Sequence, residues 1–296
     1  MWIASGNING AAAALATCPN GGSGMKMRVL VGVVLVLLLI AVFAFGLWFR
    51  AAVFTAAALI SVYEMVRACR GRGYYPCAWP LYGIAASYWL AFLPVVSTSL
   101  AYLKFLLLIW PLALCTERVF NPKRTTEDAI CSLFVCVYPL AFYVMLAVVA
   151  RASSSLLLLC FTGPLMGDTL AYFVGSAWGR HKLCPHISPK KTLEGSVAGF
   201  LGGAVGGLLA WGLHGLRIPG ISWGMGFALP PMLAIGFVCG GFGQIGDLFA
   251  STVKRWAGIK DYGNIFPGHG GVLDRLDSVL MCAPAVYICM PVFMHL

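Results

Sequence analysis

Acidic residues are scarce in this chain: its 296 positions hold ten Asp and Glu. Charged residues of both signs make up 10%, where a soluble domain carries about a quarter. Hydrophobic residues make up 60%. A soluble globular domain is thereby excluded. A CxxC pair is also missing among the eleven cysteines, and Cys131, Cys136, Cys160, Cys239, Cys282 and Cys289 sit inside apolar runs. That excludes a zinc ribbon or a disulfide framework and leaves the cysteines as small apolar packing residues. Residues 1–24 lack periodicity and are rich in Ala, Gly and Asn, so the expectation there is a disordered tail. No A-x-A-like site follows the first apolar run, which is too long for a signal peptide and is expected to stay as an anchor.

What the chain does have is long apolar runs. A bilayer crossing takes roughly 20 such residues. Nine spans are expected, at 29–49, 51–66, 75–93, 95–115, 129–150, 152–172, 195–213, 223–250 and 279–295. The expected fold is therefore all-α and polytopic, with N-terminal transmembrane helices over 25–150 and a C-terminal catalytic region over 151–296. With the N-terminus in the cytoplasm, sixteen of the twenty Lys and Arg fall on the cytoplasmic side. Arg50, Lys104, Arg151 and Arg217 fall on the other. Such a bias is the positive-inside pattern, so the formal charge of +10 reflects topology and not a nucleic-acid footprint.

Gly195, Gly199, Gly203 and Gly207 recur every four residues in the seventh span, and Gly236 and Gly240 repeat the step in the eighth. Bare backbone on one helix face lets another helix approach closely, within the fold or across a homodimer. Gly241-Phe-Gly243-Gln-Ile-Gly246 spells GxGxxG, yet it lies inside an apolar span without the strand that a dinucleotide fold requires. Thr125, Thr126, Glu127 and Asp128 read as a helix N-terminus. Glu64, beside Arg67, reads equally as half of a helix-end ion pair or as a functional acid.

Scarce charge gathers in one place. Ser251 to Asp277 holds Asp261, Asp274 and Asp277 together with Lys254, Arg255, Lys260, His269 and Arg275, and Asp247 lies just upstream. Concentrated charge between apolar spans points to a charged substrate. Gln244, Asp247, Ser251 and Lys254 share a helix face by spacing. A plain Asp247–Lys254 pair is one reading, and a metal at Asp247 the other. Gly268-His269-Gly270-Gly271 offers backbone N–H groups as a phosphate cradle. His269 taken alone fits packing as well as ligand contact. Arg275 is a natural phosphate fork. Asp247 and Asp274, from different helices, can converge on a divalent ion, since magnesium takes carboxylates, waters and phosphate oxygens. Upstream, Asp168 and Tyr172 lie one helical turn apart, and Ser188-Pro189 suits a turn before Lys190, Lys191, Thr192 and Glu194. Those lysines serve topology and anionic-lipid contact on one reading, and phosphate binding on the other.

The string S-T-V-K-R-x4-K-D-Y-G-x2-F-P-G-H-G-G-V-L-D-R-L-D resembles the signature of the phosphatidate cytidylyltransferases, also called CDP-diacylglycerol synthases. G-D-T-L-A-Y-F-V-G and I-S-P-K-K-T-L-E-G resemble that family's second block, so the likeness spans about residues 160–280. Leu193 stands where the family usually has Trp, and Leu170 where Gly is common. The resemblance implies an all-helical membrane dimer that joins CTP to phosphatidic acid. Its site would open to the cytosol and the inner leaflet; separately, the chain's length and sparse tails point to a bacterial inner membrane, with an organelle as the alternative. The resemblance also implies magnesium, read as two divalent ions, with a monovalent ion as a further candidate. By motif, Asp247 and Asp274 would hold metal and serve catalysis with Lys254 and Arg255. Ser188, Lys190, Lys191, Thr192, Ser251, Lys260, His269, Gly270, Gly271 and Arg275 would contact substrate. Asp168, Asp277, Gln244 and Asp261 would support them from behind or add a metal ligand. Two other classes remain: another CTP-using membrane enzyme, such as a lipid kinase or a synthase acting on an ether-linked lipid, and a transporter with an intramembrane ion site near Asp168.

Overall fold

The computed structural model describes residues 21–92, 99–216, 223 and 226–294. The chain is nearly all helical. Helix occupies each of the nine apolar runs among these residues. The helices are α1 (Gly21–Ala44), α2 (Leu47–Arg70), α3 (Ala78–Ser87, continued by a 3₁₀ turn to Phe92), α4 (Ser99–Phe120) and α5 (Thr126–Val135). After them come α6 (Phe142–Ala152), α7 (Ser154–Trp178), α8 (Leu193–Gly215), α9 (Leu229–Ala257) and α10 (Leu273–Met294). Among the described residues, six segments are long and apolar enough to cross a membrane by length and composition, with α5 and α6 together forming one. This is a multi-pass membrane fold.

The fifth run is divided because Pro139 has no N–H to donate, and a short π segment, Cys136–Ala141, joins α5 to α6. Its start is the capping box read from sequence, Thr125 with Asp128. Helix begins at Gly21, four residues inside the stretch expected to be a disordered tail; residues 1–20 lie outside the described residues.

One feature departs from an all-α reading. Lys182–Cys184 (β1) and Ser188–Thr192 (β2) form an antiparallel hairpin between α7 and α8. The turn falls just before Ser188, and Ser188-Pro189 opens the second strand. Thr192 then caps α8, its Oγ1 accepting the Gly195 N–H at 3.2 Å.

Glycine contacts lock α7, α8 and α9 together. A Cβ added to Gly167 would lie 3.1 Å from the Gly199 carbonyl oxygen and 3.2 Å from Gly240 Cα. One added to Gly203 would lie 2.6 Å from Gly240 Cα. The four-residue repeat therefore serves packing within the chain. The GxGxxG glycines lie wholly in α9, with Gly246 against the Asp277 backbone.

Candidate active site

A cavity of about 1110 Å³ lies where α1, α2, α7, α9, α10 and the hairpin meet. Leu35, Leu39, Val53, Ile60 and Leu165 line its apolar wall. Lys190, Lys191 and Thr192 from β2 stand on the polar side, with Gln244 and Asp247 from α9. Asp274, Arg275, Asp277 and Ser278 of α10 complete it, and Asp168 joins from α7. Much of its apolar wall is built from the first 60 residues, to which sequence reading gave membrane anchoring and lipid access.

Two ion pairs organise the polar side. Lys191 Nζ lies 2.6 Å from Asp247 Oδ2, joining the hairpin to α9. Lys254 Nζ lies 2.8 Å from Asp274 Oδ1, joining α9 to α10. The suggested Asp247–Lys254 pair is thus replaced: both residues pair with other elements, because α9 presents them to the hairpin and to α10. Asp274 does more than pair. Its Oδ2 accepts the N–H groups of Tyr262 at 2.7 Å and Gly271 at 3.0 Å. The Lys254 ammonium also sits over the Tyr262 ring, 5.6 Å from its centre. Burial first, and the Asp274 charge second, push the Tyr262 phenol up. It stays neutral and donates to the Ala250 carbonyl at 3.1 Å.

α9 ends at Gly258, whose φ of +71° suits a glycine cap, and the chain then loops back to α10. Gly268 and Gly270 take φ of +76° and +84° in that loop. The phosphate cradle expected from its glycines is partly used inside the protein. His269 N–H donates to the Phe266 carbonyl at 2.8 Å, and Gly271 N–H goes to Asp274. The tip packs on the first helix, where Gly268 faces the Arg28 side chain.

The remaining candidates are spread around this core. Gln244 donates from Nε2 to the Ser196 and Gly240 carbonyls, 3.1 and 3.0 Å away, and so braces α8 against α9. Thr192 holds its cap. Glu194 accepts from the Arg180 and His181 N–H groups and meets His181 Nδ1 at 2.6 Å, tying the hairpin to α8. Ser188, Ser251, Lys254, Arg255, Lys260, His269, Gly270 and Gly271 lie off the cavity wall, in elements that flank it. Asp261 and Tyr262 border a separate cleft of about 440 Å³ with Arg67 and Arg70. Sequence reading left Glu64 open between a helix-end ion pair and a functional acid; it is buried at 1% exposure, and its carboxylate accepts the Val272 and Leu273 N–H groups at 2.9 Å each. A rare acid inside an apolar run was its signal.

The donor set fits magnesium of one kind. Among the described residues no three His, Cys, Asp or Glu side chains gather closely enough to hold a metal unaided. Magnesium commonly takes one or two carboxylates and completes its shell with substrate phosphates and water. Asp247 and Asp274, bordering one cavity on different helices, offer that arrangement.

The fold and cavity define a class: multi-pass membrane proteins that bring an apolar wall and a charged, carboxylate-bearing wall to one site. The chain belongs to the cytidylyltransferase family, whose model matches residues 26–293. It is similar to the phosphatidate cytidylyltransferase of Aquifex aeolicus, 36% identical over 188 residues, 62% of this chain and 66% of that protein. The protein of that name from Bacillus subtilis is 42% identical over 126 residues, 43% of this chain and 44% of its own. That from Thermotoga maritima is 34% identical over 168 residues, 56% and 59% of the two chains. The chain thus aligns with about half to two thirds of the length of these relatives.

Proposed function

We propose that this protein transfers the cytidylyl group of CTP to phosphatidic acid, forming CDP-diacylglycerol and pyrophosphate. The carrying observation is the cavity of about 1110 Å³, apolar along α1 and α2 and charged along β2, α9 and α10. A diacyl lipid phosphate needs both surfaces at once. Its acyl chains take the apolar wall, which excludes water beside the reacting groups.

The lipid phosphate oxygen attacks the α-phosphorus of CTP in line, and pyrophosphate leaves. A phosphate monoester, with a second pKa near 6, is already largely ionised at neutral pH, so no strong general base is required. Lys190, Lys191 and Arg275 bind the negative phosphates at the cavity wall. Lys254 and Arg255 add positive potential from the end of α9. Asp247 and Asp274 are the residues to hold magnesium, with Asp168 and Asp277 beside them. A bound metal would supply positive charge against the negative charge that develops during transfer. The reading includes two divalent ions, with a monovalent ion as a further candidate. Catalysis is then mainly positioning and electrostatics.

The same reading includes nine bilayer crossings, a cytoplasmic N-terminus, an active site facing the cytoplasm from a bacterial inner membrane, and a homodimer. The test is pyrophosphate release by the purified protein in detergent with CTP, magnesium and phosphatidic acid, omitting each in turn. Release that needs all three, with a CDP-lipid product, supports the proposal. CTP consumption with a lipid alcohol instead would show a kinase, and no turnover from folded protein with any lipid would overturn the enzyme reading.

A further inference from the structure

Glu64 sits in α2 and acts on a segment 208 residues further along. Its Oε1 accepts the Val272 N–H and its Oε2 the Leu273 N–H, each at 2.9 Å. These N–H groups open α10 and have no partner within that helix. A single carboxylate therefore meets two donors and the positive end of the helix dipole.

The surroundings are shaped to this carboxylate. A Cβ on Gly271 would lie 2.5 Å from Glu64 Cδ and 2.6 Å from Oε2, and one on Gly263 would lie 3.1 Å from Cδ. The same Gly263 position would be 3.3 Å from Gly271 Cα. Gly263 and Gly271 are thus the neck of the loop, and Glu64 is inserted against it. Asp274 closes the neck from the other side through Tyr262 and Gly271. Among the described residues Glu64 has no ion-pair partner. The two N–H groups and the helix end carry the compensation that a buried charge needs.

We propose that Glu64 is a positioning residue for the reaction. It fixes the direction of the first turn of α10, and so the placement of Asp274, Arg275 and Asp277 at the cavity. The inference rests on the cytidylyl-transfer reading. It also gives the N-terminal half of the chain a part in chemistry, since α2 reaches across to set the substrate-facing turn. Reacting groups tolerate little displacement: a shift of about 1 Å can cost on the order of 100-fold in rate.

Glu64→Gln is the decisive variant. It keeps size and shape, yet it turns an amide N–H₂ toward one of the two donors and loses that bond. The full-length protein in detergent is assayed for kcat and for KM of CTP, and hydrogen exchange is followed in peptides covering 261–277. The expected result is a kcat lower by about tenfold to 100-fold, with KM changed by less than about threefold. Exchange should quicken in 261–277 and stay unchanged in α7 and α8. Gly271→Ala should reproduce this phenotype, and Gly212→Ala, where an added Cβ meets nothing within 4 Å, should match wild type. Wild-type kcat in Glu64→Gln would overturn the proposal. So would a loss of kcat accompanied by faster exchange through every helix, since that marks general destabilisation. Should wild-type protein make no CDP-lipid, the functional reading fails by itself. The exchange data then still decide whether Glu64 holds the loop.

Discussion

Lys191 Nζ meets Asp247 Oδ2 at 2.6 Å, bridging the hairpin before α8 and the cavity face of α9. A lysine that would hold substrate phosphate rests on a carboxylate that would hold metal. Side-chain exposures of 23% and 38% leave both within reach of a ligand. The pair can therefore part as substrate and cation arrive, each group taking a partner of opposite charge.

Asp247→Asn should abolish magnesium-dependent turnover while the protein still inserts and folds. The amide keeps the shape and weakens cation binding, so a fall on the order of 100-fold or more is expected in pyrophosphate release. A half-exposed site away from the core should leave the melting temperature in detergent nearly unchanged. Retained turnover at saturating magnesium would remove Asp247 from the metal set.

Lys254 and Arg255 are neighbours whose substitutions should differ in kind. Asp274 has a side chain 2% exposed, and Lys254 is its ion-pair partner. Lys254→Met leaves that carboxylate with backbone donors only and should destabilise by about 3 kcal/mol. Arg255 is exposed. Arg255→Ala should leave the melting temperature alone and raise KM for CTP. Thermal unfolding of both variants, set beside their kinetics, checks the contrast.

Much of this architecture was legible in sequence because hydrophobicity and charge are local properties. Apolar runs located the helices, and the Gly195–Gly207 repeat gave the face on which α8 packs. Pairing was not legible. Asp247 and Lys254, seven residues apart on one helix, suggested each other, yet tertiary contact gave them Lys191 and Asp274. The hairpin was also missed, since β1 has three residues and β2 five, too short for alternation to show. Glu64 was ambiguous for the same physical reason: its donors, Val272 and Leu273, come from the far end of the chain. The charged string from Ser251 to Asp277 pointed to the cavity that Asp274, Arg275 and Asp277 border, but did not show which of its residues face it.

Gly203→Ala should destabilise the fold without touching the site. A methyl there would press on the α9 backbone at Gly240, which cannot move aside as a flexible side chain could. Overpacking of this kind costs about 1–3 kcal/mol. Unfolding in detergent should register that loss for Gly203→Ala. Surviving folded molecules should keep the KM for both substrates, because neither ligand wall includes Gly203.

The apolar wall gives the sharpest test of where the lipid lies. Ala56 projects from α2 into the cavity and is exposed there. Ala56→Trp would fill volume that the acyl chains need and leave the charged wall intact. KM for phosphatidic acid should rise about tenfold, corresponding to roughly 1.4 kcal/mol, with KM for CTP unchanged. Shorter acyl chains should suffer less than long ones, because they need less of the apolar wall that the indole takes up. Equal increases for both substrates would instead place the nucleotide against α2 and the lipid elsewhere. Steady-state kinetics with a series of chain lengths, in one detergent at fixed lipid mole fraction, separates these outcomes.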